Sequence, residues 1–312
     1  MIAFIERDDD PEIPPPYKFP GITIMSFRLQ AQLNSLQDLC DKFLNIGSLA
    51  HRGFEYRSFT DFVDMEIVTY PKMLFDEPPY SSRGYASQQE LYFRFFVWRF
   101  DLFGGLLFPA PRPELFFPFI YVDNSWSMIS GRNVIGFPKA MAQFSPTPVL
   151  GANSLDVTVS ALALKKYDPT TELSWQPIVA IKQQAGPARP LVQGAWPWAG
   201  LALNLADPIL EELLQTFLSA VPYAFETVQL KQFRDLPTGA CFQAVVNTPF
   251  APANVGAVNP LPPVSITLPT YDSLNIAKSL GLQADQALTP LLQYSVSLDM
   301  TMSKGSNLFV NG

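Results

Sequence analysis

The stretch Tyr121-Val-Asp-Asn-Ser-Trp-Ser-Met-Ile-Ser-Gly-Arg-Asn-Val-Ile-Gly-Phe-Pro-Lys139 ends in a lysine within one of the most apolar parts of the sequence. Between residues 102 and 144 its only charged neighbours are Arg112, Glu114, Asp123 and Arg132. Apolar surroundings disfavour the ammonium form, so such a lysine loses its proton easily. A neutral amine is a nucleophile that forms Schiff bases with carbonyl compounds. From these residues alone an ordinary solvated lysine at a strand end is the favoured interpretation, and a nucleophilic Lys139 is the alternative.

The same stretch resembles the active-site strand and turn of the acetoacetate decarboxylase superfamily. Three pieces carry the resemblance, namely Tyr121-Val-Asp-Asn124, Gly131-Arg132 and Phe137-Pro138-Lys139. In that family the lysine after the aromatic–proline pair carries the substrate imine. Weaker matches lie at Pro16–Phe19, Met65–Val68, Asp272–Leu282 and Tyr294–Met302. The resemblance implies that the protein is a lyase and that Lys139 forms the imine.

The composition predicts an α+β fold dominated by antiparallel strands. The chain has 30 prolines and 25 phenylalanines in 312 residues, and proline interrupts both helices and central strands. Between Ser154 and Leu164 the apolar residues alternate with period two, which is typical of a strand with one buried face. The family resemblance implies a closed conical β-barrel that is lined by apolar residues, with a few flanking helices.

Three segments are predicted to be helices: Asn34 to Gly47, Asp207 to Ala220, and Ser273 to Leu280. Residues 76–89 and 182–200 are rich in proline or small residues, so we expect them to be excursions between strands. The sequence does not determine their role. We predict a loose acidic N-terminal arm over residues 1–16 and a single acetoacetate decarboxylase-like domain over residues 17–312.

Charge and hydropathy exclude several classes of protein. The net charge of −7 and the isoelectric point near 4.8 argue against a nucleic-acid partner. No apolar run approaches the roughly 20 residues that span a bilayer, so no membrane partner is expected. Cys40 and Cys241 are far apart in sequence, which favours two free buried thiols and a cytoplasmic protein. Only 16% of residues are charged, which predicts a homo-oligomer of open size, because subunit contacts would hide part of the surface.

Two carboxylates are candidate catalytic residues. Glu66 lies in Met-Glu-Ile-Val, which resembles a family strand that carries a functional glutamate. Asp101 shares one face of a predicted strand with Arg99 among aromatic residues, within one position of the family's second carboxylate. We expect Glu66 and Asp101 to move protons during imine formation, although a solvated glutamate and a structural Arg99–Asp101 ion pair are the alternatives.

The sequence departs from the family pattern at three places. Ala140 stands where acetoacetate-decarboxylating members have a second lysine, and Asn133 stands where the family has a glutamate. Residues 20–23 lack the family's N-terminal arginine, so Arg99 and Arg132 are candidate substrate-binding residues. These departures slightly favour aldol condensation and dehydration of a 2-oxo acid with an aldehyde over decarboxylation of a 3-oxo acid.

The remaining candidate substrate-binding residues are apolar: Phe137, Trp98 and Met128 are expected to line the pocket. His51 is the single histidine, which excludes a histidine-rich metal site, and we expect neither metal nor cofactor. The substrate is expected to be a small keto acid of open identity. A non-catalytic barrel that binds a small hydrophobic ligand is the alternative function.

Overall fold

The computed structural model describes Ile5 and residues 11–149, 154–188, 225–236 and 239–311. These ranges are mostly β-strand with few helices, as predicted. Their strands are β1 (Tyr17–Gln30), β2 (Phe54–Ser58), β3 (Phe62–Phe75), β4 (Tyr85–Phe103), β5 (Leu106–Pro109), β6 (Glu114–Val122), β7 (Lys139–Ser145), β8 (Val157–Ala163), β9 (Ser174–Gln183), β10 (Phe225–Arg234), β11 (Ala240–Ala253), β12 (Asn259–Pro260), β13 (Val264–Thr267), β14 (Leu292–Met302) and β15 (Ser306–Val310).

The helices of the same ranges are short. They are α1 (Leu33–Phe43), α2 (Leu49–Arg52), α3 (Ser125–Ser130) and α4 (Ile276–Leu280), with a 3-10 turn at Tyr80–Ser82 and a π-helical turn at Gly131–Ile135. The first and third predicted helices are confirmed as α1 and α4, which are shorter than predicted. The helix predicted from Asp207 to Ala220 lies outside the described residues.

The strand pattern follows from alternating burial. In β8, Val157, Val159 and Ala161 are buried on one face of the strand, whereas Leu162 on the opposite face is exposed. This confirms the period-two prediction. The excursion predicted at residues 76–89 is shorter than expected, because β4 begins at Tyr85. Residues 85–89 therefore belong to a strand and can contribute side chains to its buried face.

The strand pairings return to their starting point. Seven strands pair in the order β4-β6-β10-β11-β14-β1-β3, and a seventh pairing joins β3 to β4, so the hydrogen-bonded pairs form a ring. Most of these pairs are antiparallel, and β6 is parallel to both β10 and β7. From β7 a second run continues through β8 and β9 to β13. The closed conical barrel stays a prediction.

Two apolar clusters occupy opposite faces of the central strands. On β4, Phe93 and Phe95 belong to the first cluster, which also contains the buried face of α1. Tyr92 and Phe96 alternate with them and belong to the second cluster. The second cluster also contains Phe137 and surrounds the cavity described below.

The last residues of the predicted arm contact the folded body. Ile13 is buried, its backbone N–H donates to Ser130 Oγ (3.2 Å), and Tyr17 donates from its hydroxyl to the carbonyl of Ile13. Ser130 Oγ donates to the carbonyl of Pro11 at 2.5 Å. Residues 11–13 therefore contact the folded body, residues 1–4 and 6–10 lie outside the described residues, and the loose arm stays a prediction. The single domain stays a prediction.

The cysteines and the helices bear on two further expectations. Cys40 and Cys241 are both free, and Cys40 is buried on α1 as predicted. Cys241 is exposed near the start of β11, so the prediction of a second buried thiol is wrong.

In the described ranges no helix has the length and apolar character that a membrane crossing requires.

Candidate active site

Lys139 is the first residue of β7, and its side chain is buried, with 7% of the residue exposed. Its Nζ donates to Glu90 Oε2 at 2.8 Å and to Ser127 Oγ at 2.9 Å. Both partners are buried. A buried ammonium with one carboxylate and one hydroxyl is a satisfied ion pair in which the proton has a nearby acceptor.

Strand register brings these groups together. Tyr92 of β4 pairs with Ile120 of β6, and Ile120 pairs in turn with Lys139 of β7. Glu90 lies two residues before Tyr92 and therefore on the same face of β4. β7 thus extends the sheet as a parallel neighbour of β6, and this pairing brings Lys139 close to Glu90.

The residues between β6 and β7 orient the site. Asn124 caps α3, and its Oδ1 accepts hydrogen bonds from the N–H groups of Trp126 and Ser127, as favourable N-caps do. Asp123 Oδ1 accepts from the Gln89 N–H at 2.8 Å. Burial raises the pKa of Asp123, although its backbone hydrogen bonds oppose that shift. The Asp-Asn pair therefore fixes both α3 and the strand that carries Glu90.

Gly131 leaves room for the lysine side chain. A Cβ added at this position would lie 2.6 Å from Lys139 Cδ and 2.8 Å from Lys139 Cε, far inside van der Waals contact. Arg132, which follows it, donates from Nη1 to the carbonyl of Lys139 at 3.0 Å. The Gly-Arg pair thus positions the lysine from two sides.

The Lys139 ammonium faces a cavity of about 50 Å³. Aromatic side chains form much of its wall, among them Tyr17, Phe19, Tyr70, Phe117, Phe137 and Phe250. Among the described residues, Lys139 and Glu90 are the charged groups of the lining. The cavity is therefore an apolar chamber with a single ion pair at one side.

Two phenols of the cavity stay protonated at neutral pH. Burial, together with the negative charges of Glu90 and Glu66, raises the pKa of Tyr70 well above 10.0. Burial and the neighbouring Glu66 raise the pKa of Tyr92 in the same way. These phenols can donate or accept hydrogen bonds, but they do not serve as anionic bases at neutral pH.

Glu66 lies behind Tyr92 and does not line the cavity. Its Oε2 accepts from the Tyr92 hydroxyl, and its Oε1 accepts from Arg94 Nη2, each at 2.5 Å. Arg94 lies 3.5 Å from Asp64, which Arg28 also contacts at 2.8 Å. Glu66 therefore belongs to a buried network of arginines and carboxylates, contrary to the expected direct role in moving substrate protons.

The structure does not bring Asp101 and Arg99 to the lysine. Arg99 Nε forms an ion pair with Asp101 at 3.0 Å near the partly exposed end of β4. Asp101 is eleven residues beyond Glu90, which is on the order of 35 Å along the strand at about 3.3 Å per residue. Sharing a strand face did not place them near the site, because β4 is much longer than the cavity.

Only one of the three apolar candidates lines the cavity. Phe137 does, with its ring 5.8 Å from that of Phe117. Trp98 is fully buried farther along β4, where its Nε1 donates to the carbonyl of Ala110. Met128 is partly buried and packs against the second cluster without lining the cavity. Arg132 is exposed and also lies outside the lining.

Sequence reasoning missed Glu90, Ser127, Gln88 and Tyr92. The run Gln88-Gln89-Glu90-Leu91-Tyr92 spans the end of the predicted excursion and the start of an aromatic segment, so neither pattern marks its polar residues as part of the site. Counting back by twos from Tyr92 places Glu90 and Gln88 on the face of Tyr92. That alternation was the available indication that polar groups enter the cavity.

Comparisons with known proteins identify a matching family model and similar folds. The acetoacetate decarboxylase (ADC) family model matches residues 9–163. The acetoacetate decarboxylase from Legionella pneumophila subsp. pneumophila str. Philadelphia 1 has a similar structure, with a TM-score of 0.61 and 14% identity, covering 99% of this chain and 93% of that chain. No curated protein matches the sequence.

Two further solved structures share the fold. The enduracididine biosynthesis enzyme MppR complexed with pyruvate has a TM-score of 0.53 and 13% identity, covering 97% of this chain and 93% of that chain. An acetoacetate decarboxylase-like enzyme from Sphingomonas wittichii RW1 has a TM-score of 0.52 and 14% identity, covering 94% and 92%. Residues 9–163 match the acetoacetate decarboxylase family, and the chain as a whole has the fold of acetoacetate decarboxylase-like enzymes.

Proposed function

We propose that this protein is a lyase that forms a Schiff base between Lys139 and the carbonyl carbon of a small keto acid. The observation that carries the proposal is the buried Lys139 Nζ, 2.8 Å from Glu90 Oε2 and facing an aromatic cavity. The match of residues 9–163 to the acetoacetate decarboxylase family supports the same chemistry. Glu90 replaces the expected Glu66 and Asp101 as the group that moves protons.

Imine formation begins with proton transfer from the Lys139 ammonium to Glu90. The neutral amine attacks the carbonyl carbon, a C–N bond forms as the C=O π bond opens, and one proton moves from the nitrogen to the carbonyl oxygen to give a neutral carbinolamine. Glu90 then returns its proton to the departing hydroxyl, and water leaves. The product is a protonated imine beside an ionised Glu90, so the pair ends with the charges with which it began.

Decarboxylation of a 3-oxo acid is the reaction that the cavity supports best. The bond to the carboxylate carbon breaks, its electron pair moves into the protonated imine to give an enamine, and carbon dioxide leaves. Protonation of the enamine carbon and addition of water release the ketone and regenerate the lysine. The apolar cavity wall favours this step because the carboxylate loses its charge as the bond breaks.

Aldol condensation and dehydration of a 2-oxo acid with an aldehyde is the second candidate reaction. It is favoured by Ala140, which replaces the second lysine, and by the fold shared with MppR, which was solved with pyruvate bound. It uses the same imine and enamine, but the substrate carboxylate remains to the end. Against it, no second cation among the described lining residues would balance that carboxylate.

We further propose that the seven paired strands form the family's closed conical barrel, supported by the pairings that return to β4. In the alternative function, this barrel holds a small hydrophobic ligand without turning it over. Absence of any adduct with keto acids would favour that alternative.

The proposed assembly is a homo-oligomer in the cytoplasm, without nucleic-acid or membrane partners. Phe103, Leu106 and Phe108 are exposed in the β4–β5 hairpin, and such a patch favours contact with a second copy. The net charge of −7 is unfavourable for nucleic acid. Sedimentation of the purified protein would test the oligomer, and a monomer at high concentration would contradict it.

The function is tested by trapping the imine with cyanoborohydride and measuring intact mass, using acetoacetate and pyruvate separately. We expect a reduced adduct on the wild type and none on Lys139→Ala. The matched control is Lys231→Ala, because burial lowers the pKa of Lys231 and makes it the most suitable competing amine. Released carbon dioxide would indicate decarboxylation, and a condensed product would indicate the aldol reaction.

A further inference from the structure

Gln88 is a residue of the cavity lining that carries a hydrogen-bond acceptor without a partner among the described residues. It lies on β4 two residues before Glu90, it is 6% exposed, and it lines the cavity. Its Nε2 donates to Glu90 Oε2 at 3.0 Å. Its Oε1 is buried and has no hydrogen-bond partner among the described residues. A buried polar atom without a partner is costly, so a ligand that supplies a donor would bind favourably there.

The orientation of this amide follows from its neighbour. Turning the amide over would point Oε1 at the Glu90 carboxylate and place two acceptors against each other. The contact with Glu90 therefore fixes Nε2 toward the carboxylate. Because Lys139 Nζ and Gln88 Nε2 bond to the same Glu90 oxygen at 2.8 and 3.0 Å, they are no more than about 6 Å apart. A small molecule held as an imine on Lys139 can thus reach the Gln88 amide.

The neighbouring polar groups favour a donor at this point. Glu90 offers carboxylate oxygens, and Tyr92 uses its proton on Glu66, which leaves its oxygen as an acceptor. Among the lining residues that the structure describes, Lys139 is the cation. It is occupied by the imine once substrate has bound. The region beside Gln88 and Glu90 is therefore suited to an O–H or N–H group of the substrate.

We propose that Gln88 determines specificity by accepting a hydrogen bond from a hydroxyl or amino group that the carbonyl substrate carries near its reacting carbon. The inference rests on the proposed imine chemistry of Lys139 and narrows its substrate class to keto compounds that bear such a donor. A ketone of the same size without the donor leaves Oε1 unpaired, so it binds less well.

The test compares hydroxyacetone with 2-butanone, which are uncharged and similar in size but differ in one hydroxyl. Imine is trapped with cyanoborohydride over a concentration series, and the ratio of half-saturating concentrations is the readout. We expect the wild type to prefer hydroxyacetone about tenfold. Gln88→Leu and Gln88→Met should lower that ratio to the intrinsic ratio that a free lysine amine gives with the same two ketones. The ratio cancels any general effect of these variants on the lysine.

The matched control is Gln89→Leu, the adjacent amide, which accepts instead from Thr69 Oγ1 at 2.8 Å and should keep the wild-type ratio. Equal trapping of both ketones by the wild type, or a wild-type ratio that stays undiminished in both Gln88 variants, would overturn the inference while leaving the imine chemistry intact. Such a result would indicate that Gln88 Oε1 binds only water. Failure to trap any carbonyl compound on Lys139 would overturn the proposed function and this inference with it.

Discussion

Glu66 and Glu90 are buried glutamates on the neighbouring strands β3 and β4, and their partners give them different chemistry. Glu66 bonds to Arg94, which keeps its proton in proteins, and to the Tyr92 hydroxyl. Glu90 bonds to Lys139, which can lose a proton, and it lines the cavity. Burial and ion pairing are alike in the two cases. The difference teaches that a catalytic carboxylate is identified by a partner that can exchange a proton and by access to substrate.

Removing the proton acceptor should produce the largest effect. Glu90→Gln keeps the shape and an acceptor oxygen for Lys139, but an amide does not take up the ammonium proton. We expect the rate of imine formation to fall by about 10²- to 10⁴-fold, measured as adduct mass against time under cyanoborohydride. Glu66→Gln, the matched variant on β3, should slow it less than about tenfold. Equal losses in the two variants would remove the distinction between the glutamates.

Breaking the Arg94 network should mainly affect stability. Arg94→Met leaves Glu66 buried without its cation, which we expect to cost about 3–5 kcal/mol in the free energy of unfolding, measured by urea denaturation. The control is Arg57→Met, whose ion pair with the half-buried Glu55 is similarly short at 2.6 Å but has an exposed arginine. Its expected cost is about 0–1 kcal/mol. Similar losses at both sites would show that burial does not control the strength of these pairs.

The smallest expected effect concerns acid stability. Burial alone would raise the pKa of Asp64, but Arg28 and Arg94 hold it below its ordinary value of 3.8. Below that value the unfolded chain binds the proton first, so this contribution to stability is lost as the pH falls. Urea denaturation of the wild type between about pH 5 and pH 2 should show this loss. In Asp64→Asn the dependence on pH should be weaker, and an unchanged slope would contradict the assignment.

Local patterns in the sequence predicted local structure well. The alternation in β8 and the apolar stripe of α1 identified both elements, because one face of each is buried within a short segment. The pairing of β1 with β14, and of β4 with β6, depends on contacts between distant segments. No periodicity within a strand specifies its partner, so the ring of pairings could not be derived from the sequence.

The site was predicted in part for the same reason. Lys139 and Phe137 were recognised from their motif, and both line the cavity. Glu90 was missed because it lies between the predicted excursion, which ends at residue 89, and the aromatic segment that begins at Tyr92. Asp101 lies far from Lys139, because a shared strand face specifies the direction of a side chain but not its distance from the site along a strand of 19 residues. Long-range register decided which carboxylate meets the lysine.

The most direct test of the central claim is peptide mapping of the cyanoborohydride-reduced adduct formed with acetoacetate and with pyruvate. We predict the adduct on Lys139 in the wild type and in Glu66→Gln, with much slower labelling in Glu90→Gln. An adduct on another lysine, or labelling of Lys139 that is indifferent to Glu90, would contradict the account in which the Lys139–Glu90 pair is the reacting unit.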